Sequence, residues 1–333
     1  MNLYTTLKEL CTCPSVSGRE QRIREKIKAL VTPVCDECRT DKLGNLIAVK
    51  RGEGEGKKIM LAAHMDEIGF LVTFIEDSGM IRVAPVGGIS FTAAAYSPVV
   101  SENGVKGTVV PDEKTKPEDF KADAFYIDIG AKSKKRAEAQ VKIGDFFVLA
   151  PRLERLSGGR VCGRPLDDRV GCAVLLAVAE ALSDVKTKDD IYYVFSVQEE
   201  VGCRGAMTAA FAIVPDVALC FDVTATGDVP GATPMACSLG GGAAVKIKDA
   251  SVICDESLTA ELCRIAKDKG IKFQREILLF GGTDTSSMQL AGAGASVGAL
   301  SVPTRYIHTG SETCELSDAE ACAALAVEYI KAR

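Results

Sequence analysis

Two histidines and a set of carboxylates follow apolar runs in this 333-residue chain. His64 and Asp66 close "IMLAAHMD", Glu199 and Glu200 close "YYVFSVQEE", and Asp222 closes "VALCFDVT". His308 lies in the loop "PTRYIHTG", while "GRPLDDRVG" sets Asp167 and Asp168 at the start of a helix. In open α/β sheets ligands bind beyond the carboxyl ends of strands, so polar residues that follow buried strand-like runs are the ones to collect. Singly, each has a bland use: a lone histidine can be structural, Asp168 can cap its helix, and Glu199 and Glu200 can be solvated. Together they would place both histidines of the chain and at least five carboxylates in one region with almost no local Lys or Arg. Like charges packed so closely repel unless a cation sits among them.

Two imidazoles and several carboxylates form a mixed nitrogen and oxygen donor set, suited to two divalent ions such as zinc, cobalt or manganese. A carboxylate bridging the pair is the usual way to hold such ions side by side. His64 reads as a ligand, with Asp66 holding its other ring nitrogen in the right tautomer. Adjacent acids such as Glu199 and Glu200 allow one to bind metal while its neighbour serves as a general base.

The elements that must position these residues are legible in outline. Ser17-x-x-Glu20 has the form of a capping box before the amphipathic "QRIREKIKALV", and Ser317-x-x-Glu320 predicts a second one before the closing helix. Residues 69–157 change texture to short β-like runs split by Gly, Pro and charged turns, with only "KSKKRAEAQV" reading as helical. After Cys162 strand and helix alternate, with helices expected at 168–182, 255–269 and 284–291. The predicted architecture is an α/β sandwich with a mixed, largely parallel sheet between helices, and an inserted β-rich domain. The expected division is 1–68 and 158–333 for the α/β domain and 69–157 for the insert, in keeping with a chain long enough for two domains.

Composition narrows the function. Apolar residues make up 47% and charged residues 26%, enough for a large core and no argument for disorder. A net charge of -5 and a pI near 5.4 argue against a nucleic-acid partner. There is no signal-peptide pattern and no uncharged apolar run of about 18 residues, so no membrane partner is expected. Thirteen cysteines, several inside apolar runs, suit a reducing compartment and a cytoplasmic protein. A structural zinc site from Cys11, Cys13, Cys35 and Cys38 is disfavoured because the second pair falls on a strand–turn–strand reading of "VCDECRTDKLGNLIAV". Gly240 to Gly242 precede a strand, which does not suit a phosphate loop. "GGTDTSS" reads as a turn in which Thr283 or Asp284 could cap the next helix.

The motifs "HMDEIG", "LDDRVG", "VQEEVGCRGA", "FDVT", "GGTDTSS" and "RYIHT" resemble, in order and spacing, those of the tetrahedral (TET-type) di-metal aminopeptidases, the glutamyl aminopeptidase or endoglucanase M group. The resemblance spans the chain from its first helix to its last. It implies a di-zinc exopeptidase type of fold in which His64 and Asp222 hold one metal, Glu200 and His308 the other, and Asp167 bridges both. It implies Glu199 as general base, Asp66 as the catalytic partner of His64, and the 281–287 loop as part of the substrate pocket. The first acid of the Asp167–Asp168 pair is often followed by a cis peptide in that family. The implied reaction is removal of the N-terminal residue from short peptides by metal-bound hydroxide, with two ions per chain, zinc or cobalt first and manganese next. A homo-oligomer assembled through the β-rich insert, of twelve subunits in its commonest form, is also implied. A related di-metal hydrolase of N-acyl amino acids, other amides or C-terminal residues would use the same ligands, and a non-catalytic assembly protein is the remaining alternative. A glycosidase, despite the name endoglucanase, would need two carboxylates astride a sugar.

Overall fold

The strand Lys58–His64 is apolar on both faces because it lies in the middle of a covered sheet. The computed structural model describes residues 1–333. Four parallel strands form the centre: Asp190–Ser196, Lys58–His64, Val217–Thr224 and Ser296–Arg305, in that spatial order. Antiparallel strands flank them, with Glu37–Thr40 and Leu46–Lys50 on one side and Glu312–Glu315, Arg160–Arg164 and Arg152–Arg155 on the other. The sheet is therefore mixed, with a parallel core. Period-two alternation sends Ile59, Leu61 and Ala63 into a large cluster beneath the helices Leu3–Cys11, Gln21–Val31, Arg169–Leu182 and Leu316–Lys331. Met60 and Ala62 face a smaller cluster under the helix Arg204–Ile213, whose Ala206, Ala209 and Ala210 permit close approach.

Between His64 and Asp167 the chain leaves this sheet to build a closed six-stranded barrel. Its strands run Gly69–Ile75, Ile81–Val86, Phe125–Asp128, Lys106–Pro111, Pro98–Ser101 and Phe146–Leu149 around the ring. Phe70, Val83, Val109, Phe125 and Phe147 fill it, with Phe91 and Phe120 packed on Phe125 at ring-centroid distances of 4.9 and 5.0 Å. Gly69, at the entrance, allows the barrel to sit against the first segment: a Cβ there would lie 2.3 Å from Val16 Cγ1 and 2.7 Å from the Phe147 carbonyl.

Local expectations fared unevenly. Helices stand at Arg169–Leu182, Glu256–Lys269, Thr285–Gln289 and Lys134–Glu138, close to where periodicity puts them. Neither capping box forms. Ser17 donates its hydroxyl to Asp66 Oδ2 at 2.6 Å, and the closing helix begins at Leu316 with Glu315 as its N-cap, so Ser317 lies inside it. In each case the serine's own polar neighbour outcompetes the cap. The first residues of "PTRYIHTG" belong to the strand Ser296–Arg305, and the loop begins at Tyr306. The Gly240 and Gly242 amides donate to Asp318 of the same chain at 2.7 Å each. Cys11 is buried and donates to the Pro165 carbonyl, and all thirteen cysteines are free. No helix is long and apolar enough to cross a membrane.

Candidate functional site

The four central strands end on one edge, and their last residues converge. His64 ends its strand in register with Ser196, which leads directly to Glu199 and Glu200, while Asp222 lies near the end of the next strand, opposite Ser301. Arg305 ends the fourth strand three residues before His308. Asp167 arrives from the strand Arg160–Arg164, which lies between Glu312–Glu315 and Arg152–Arg155, across a cis Arg164–Pro165 bond, and the peptide joining it to Asp168 is also cis.

Asp167 lies between the histidines. Its Oδ1 is 3.0 Å from His64 Nε2, and its Oδ2 is 3.1 Å from His308 Nε2. Glu200 Oε1 is 3.2 Å from His308 Nε2, and Asp222 Oδ1 is 3.9 Å from His64 Nε2. The other ring nitrogens face fixed partners: His64 Nδ1 the Asp66 carbonyl at 3.2 Å and its carboxylate at 3.4 Å, His308 Nδ1 the Gly88 carbonyl at 2.9 Å. Asp66 also accepts the backbone N–H groups of Glu199 and Glu200 at 3.0 and 3.2 Å. Asp168 is turned away from Asp167, capping its own helix through the Gly171 amide and accepting the His64 N–H.

The cavity above these residues, about 530 Å³, contains no Lys or Arg, so the acids have only imidazoles for counter-charge. Burial raises the carboxyl of Glu200, with the Asp167 charge adding to the effect. Burial likewise pushes Glu199 and Asp222 well up; repulsion from Asp284 and Glu200 adds to the first, and from Asp167 to the second. Burial disfavours the His308 imidazolium, but Asp167 and Glu200 more than reverse this and hold its pKa at about 11. Asp167 is drawn below the carboxylate range by the two imidazoles despite its burial. Glu200 Oε1 receives no well-directed hydrogen bond. An electron-rich set of imidazole nitrogens and carboxylate oxygens with an orphaned buried oxygen fits divalent cations. His64, Asp167 and Glu200 form one group of mutually close ligand atoms; His64, Asp168 and Asp222 form another.

Several residues at the site carry no signal in the sequence. Glu312 accepts the His308, Leu166 and Asp167 amides at 3.0, 2.6 and 3.2 Å and ties two loops together. Gly88 comes from the barrel. Asp284 caps nothing; it is buried beside Cys203 and Glu199. Gly281, Gly282 and Ser286 of the 281–287 loop do line the cavity, with Phe280 and Ile307.

Known proteins share this arrangement of chain and fold. A relative from Acetivibrio thermocellus is 45% identical over 330 residues, covering 99% of this chain and 98% of its own. An aminopeptidase from the archaeon Desulfurococcus kamchatkensis superposes with a TM-score of 0.95 at 34% identity, covering 99% and 95% of the two chains. The TET1 peptidase of Pyrococcus horikoshii, described as assembling into a tetrahedron or a large octahedral shell, gives 0.88 at 34% identity and 99% coverage of both. The profile of the M42 glutamyl aminopeptidases matches residues 44–325. The chain therefore belongs to the M42 glutamyl aminopeptidase family and is an aminopeptidase, a hydrolase of peptide bonds.

Proposed function

We propose that this chain removes the N-terminal residue from short peptides at a centre that takes two divalent ions, zinc or cobalt first and manganese next. The observation that carries the proposal is the Asp167 carboxylate, with one oxygen beside each histidine. His64, Asp167 and Asp222 would hold one ion, and Asp167, Glu200 and His308 the other. Bound there, the pair supplies Lewis acidity at the substrate carbonyl and makes water more acidic. Glu199 is the free acid of its pair: it takes a proton from the attacking water and returns it to the leaving amine. Asp66 orients His64 and, through two backbone N–H groups, the turn that carries Glu199. The acids around the cavity attract the substrate's α-ammonium group, which fixes cleavage to the terminus.

Residues 69–157 are proposed as the assembly domain between the two parts of the catalytic domain, 1–68 and 158–333. The tetrahedral assembly of the P. horikoshii peptidase, at closely similar fold, supports a homo-oligomer of twelve subunits here. Thirteen unpaired thiols support a cytoplasmic setting.

Blocking the substrate amine tests the activity. Acetylating a good peptide substrate should abolish cleavage, while amidating its C-terminus should change little. Release of acetate from the blocked peptide would establish an N-acyl hydrolase instead, and sensitivity to the C-terminal change would establish a carboxypeptidase.

A further inference from the structure

Beside the two-histidine centre a third set of ligand atoms gathers, from Glu199, Cys203 and Asp284, all within 4.8 Å of one another. One helical turn sets the first two together, since the Gly202 and Cys203 amides both bond the Glu199 carbonyl and the Cys203 thiol donates to Glu199 Oε1 at 3.3 Å. Asp284 enters from the loop beneath. It is 1% exposed; one oxygen accepts the Ser196 hydroxyl, and Oδ1 has no hydrogen-bond partner. A buried carboxylate oxygen left bare is costly, and here it points into a group containing another acid and a sulfur. Cys203 and Glu199 also line the cavity, so an ion in the pocket can reach them.

We propose that Glu199, Cys203 and Asp284 form a separate, inhibitory site for a thiophilic divalent cation such as zinc or cadmium. Zinc bonds sulfur at about 2.3 Å and carboxylate oxygen at about 2.0 to 2.2 Å, a span that this triad meets with small side-chain rotations. Sulfur among the donors selects zinc and cadmium over magnesium, calcium or manganese. On binding, the thiol releases its proton to the buffer and coordinates as thiolate. With its carboxylate held by this ion, Glu199 no longer accepts a proton from water. The inhibitory effect thus rests on Glu199 being the general base.

The test uses the intact protein loaded with cobalt and titrated with cadmium, following the ultraviolet cadmium–thiolate band, the metal content and peptide hydrolysis. One cadmium ion should bind beyond two retained cobalt ions, with the band rising as activity falls. Cys203→Ala should abolish the band and raise the inhibiting cadmium concentration about tenfold or more. Cys203→Ser and Asp284→Asn should raise it as well, and they carry the test should the alanine variant fold poorly. An undiminished band in Cys203→Ala, binding that saturates at two ions, or unchanged inhibition in the variants would overturn the proposal. Failure of the two-metal reading shows separately, as cobalt content below two ions before any cadmium is added.

Discussion

Asp66 Oδ1 accepts the backbone N–H of Glu199 at 3.0 Å, while the same carboxylate stands 3.4 Å from His64 Nδ1. One buried acid thereby sets the His64 ring and the turn bearing Glu199. Asp66→Ala should lower kcat about 10- to 100-fold and weaken metal retention, as loss of a ligand's orienting partner does. Steady-state kinetics at saturating metal check it; a change confined to KM would show that Asp66 orients neither.

Glu199→Gln should keep both ions and lose about 10²- to 10⁴-fold in kcat, the range for a general acid–base group. Glu200→Gln should lose metal instead. Elemental analysis beside single-substrate kinetics separates the two, and equal metal content with similar rates in both variants would refute the division of roles.

Stripped of metal, the protein should become less stable as pH rises above neutrality. The folded His308 has a pKa of about 11 against an ordinary 6.5, so between those values the folded state binds the extra proton. Its stabilising contribution is complete below about pH 6.5 and is lost as pH rises toward 11. Thermal unfolding of chelated wild type and of chelated His308→Ala should show a steeper fall with pH in the wild type. Parallel curves would count against the imidazolium pairs.

Gly88→Ala should disturb one metal position only. A Cβ there would lie 3.0 Å from His308 Nδ1 at a carbonyl that now orients the ring, and Gly88 has no positive φ to confuse the result. Affinity for the second ion should fall about 10- to 100-fold, the size expected for a misoriented ligand, while the ion beside His64 stays. Calorimetric titration of metal-free protein resolves the two sites.

The gathering of His64, Glu200, Asp222 and His308 is legible in sequence because each follows or closes a strand-like run and parallel strands end together, whereas Asp167 is marked only by an acidic pair at a helix start. The barrel is legible as a change from long alternation to short runs split by turns. Glu312, by contrast, lies 145 residues from the Asp167 amide it holds, and no local pattern distinguishes a buried bridging acid from a solvated one. Ser17 and Asp284 carry the spacing of helix caps but serve distant partners, Asp66 and Ser196, because tertiary hydrogen bonds outcompete local ones. Gly88 contributes only a carbonyl, which every residue type possesses.

The chain departs for the barrel five residues after His64 and rejoins the large sheet at Arg152, and the barrel's Gly88 carbonyl abuts His308. The barrel is thus tied to the pocket at its entrance, close to His64, and through Gly88 at His308. The pocket is therefore a seam: His64 takes its bearing from Asp66 beside the sheet, His308 from a carbonyl that the barrel's own loop supplies.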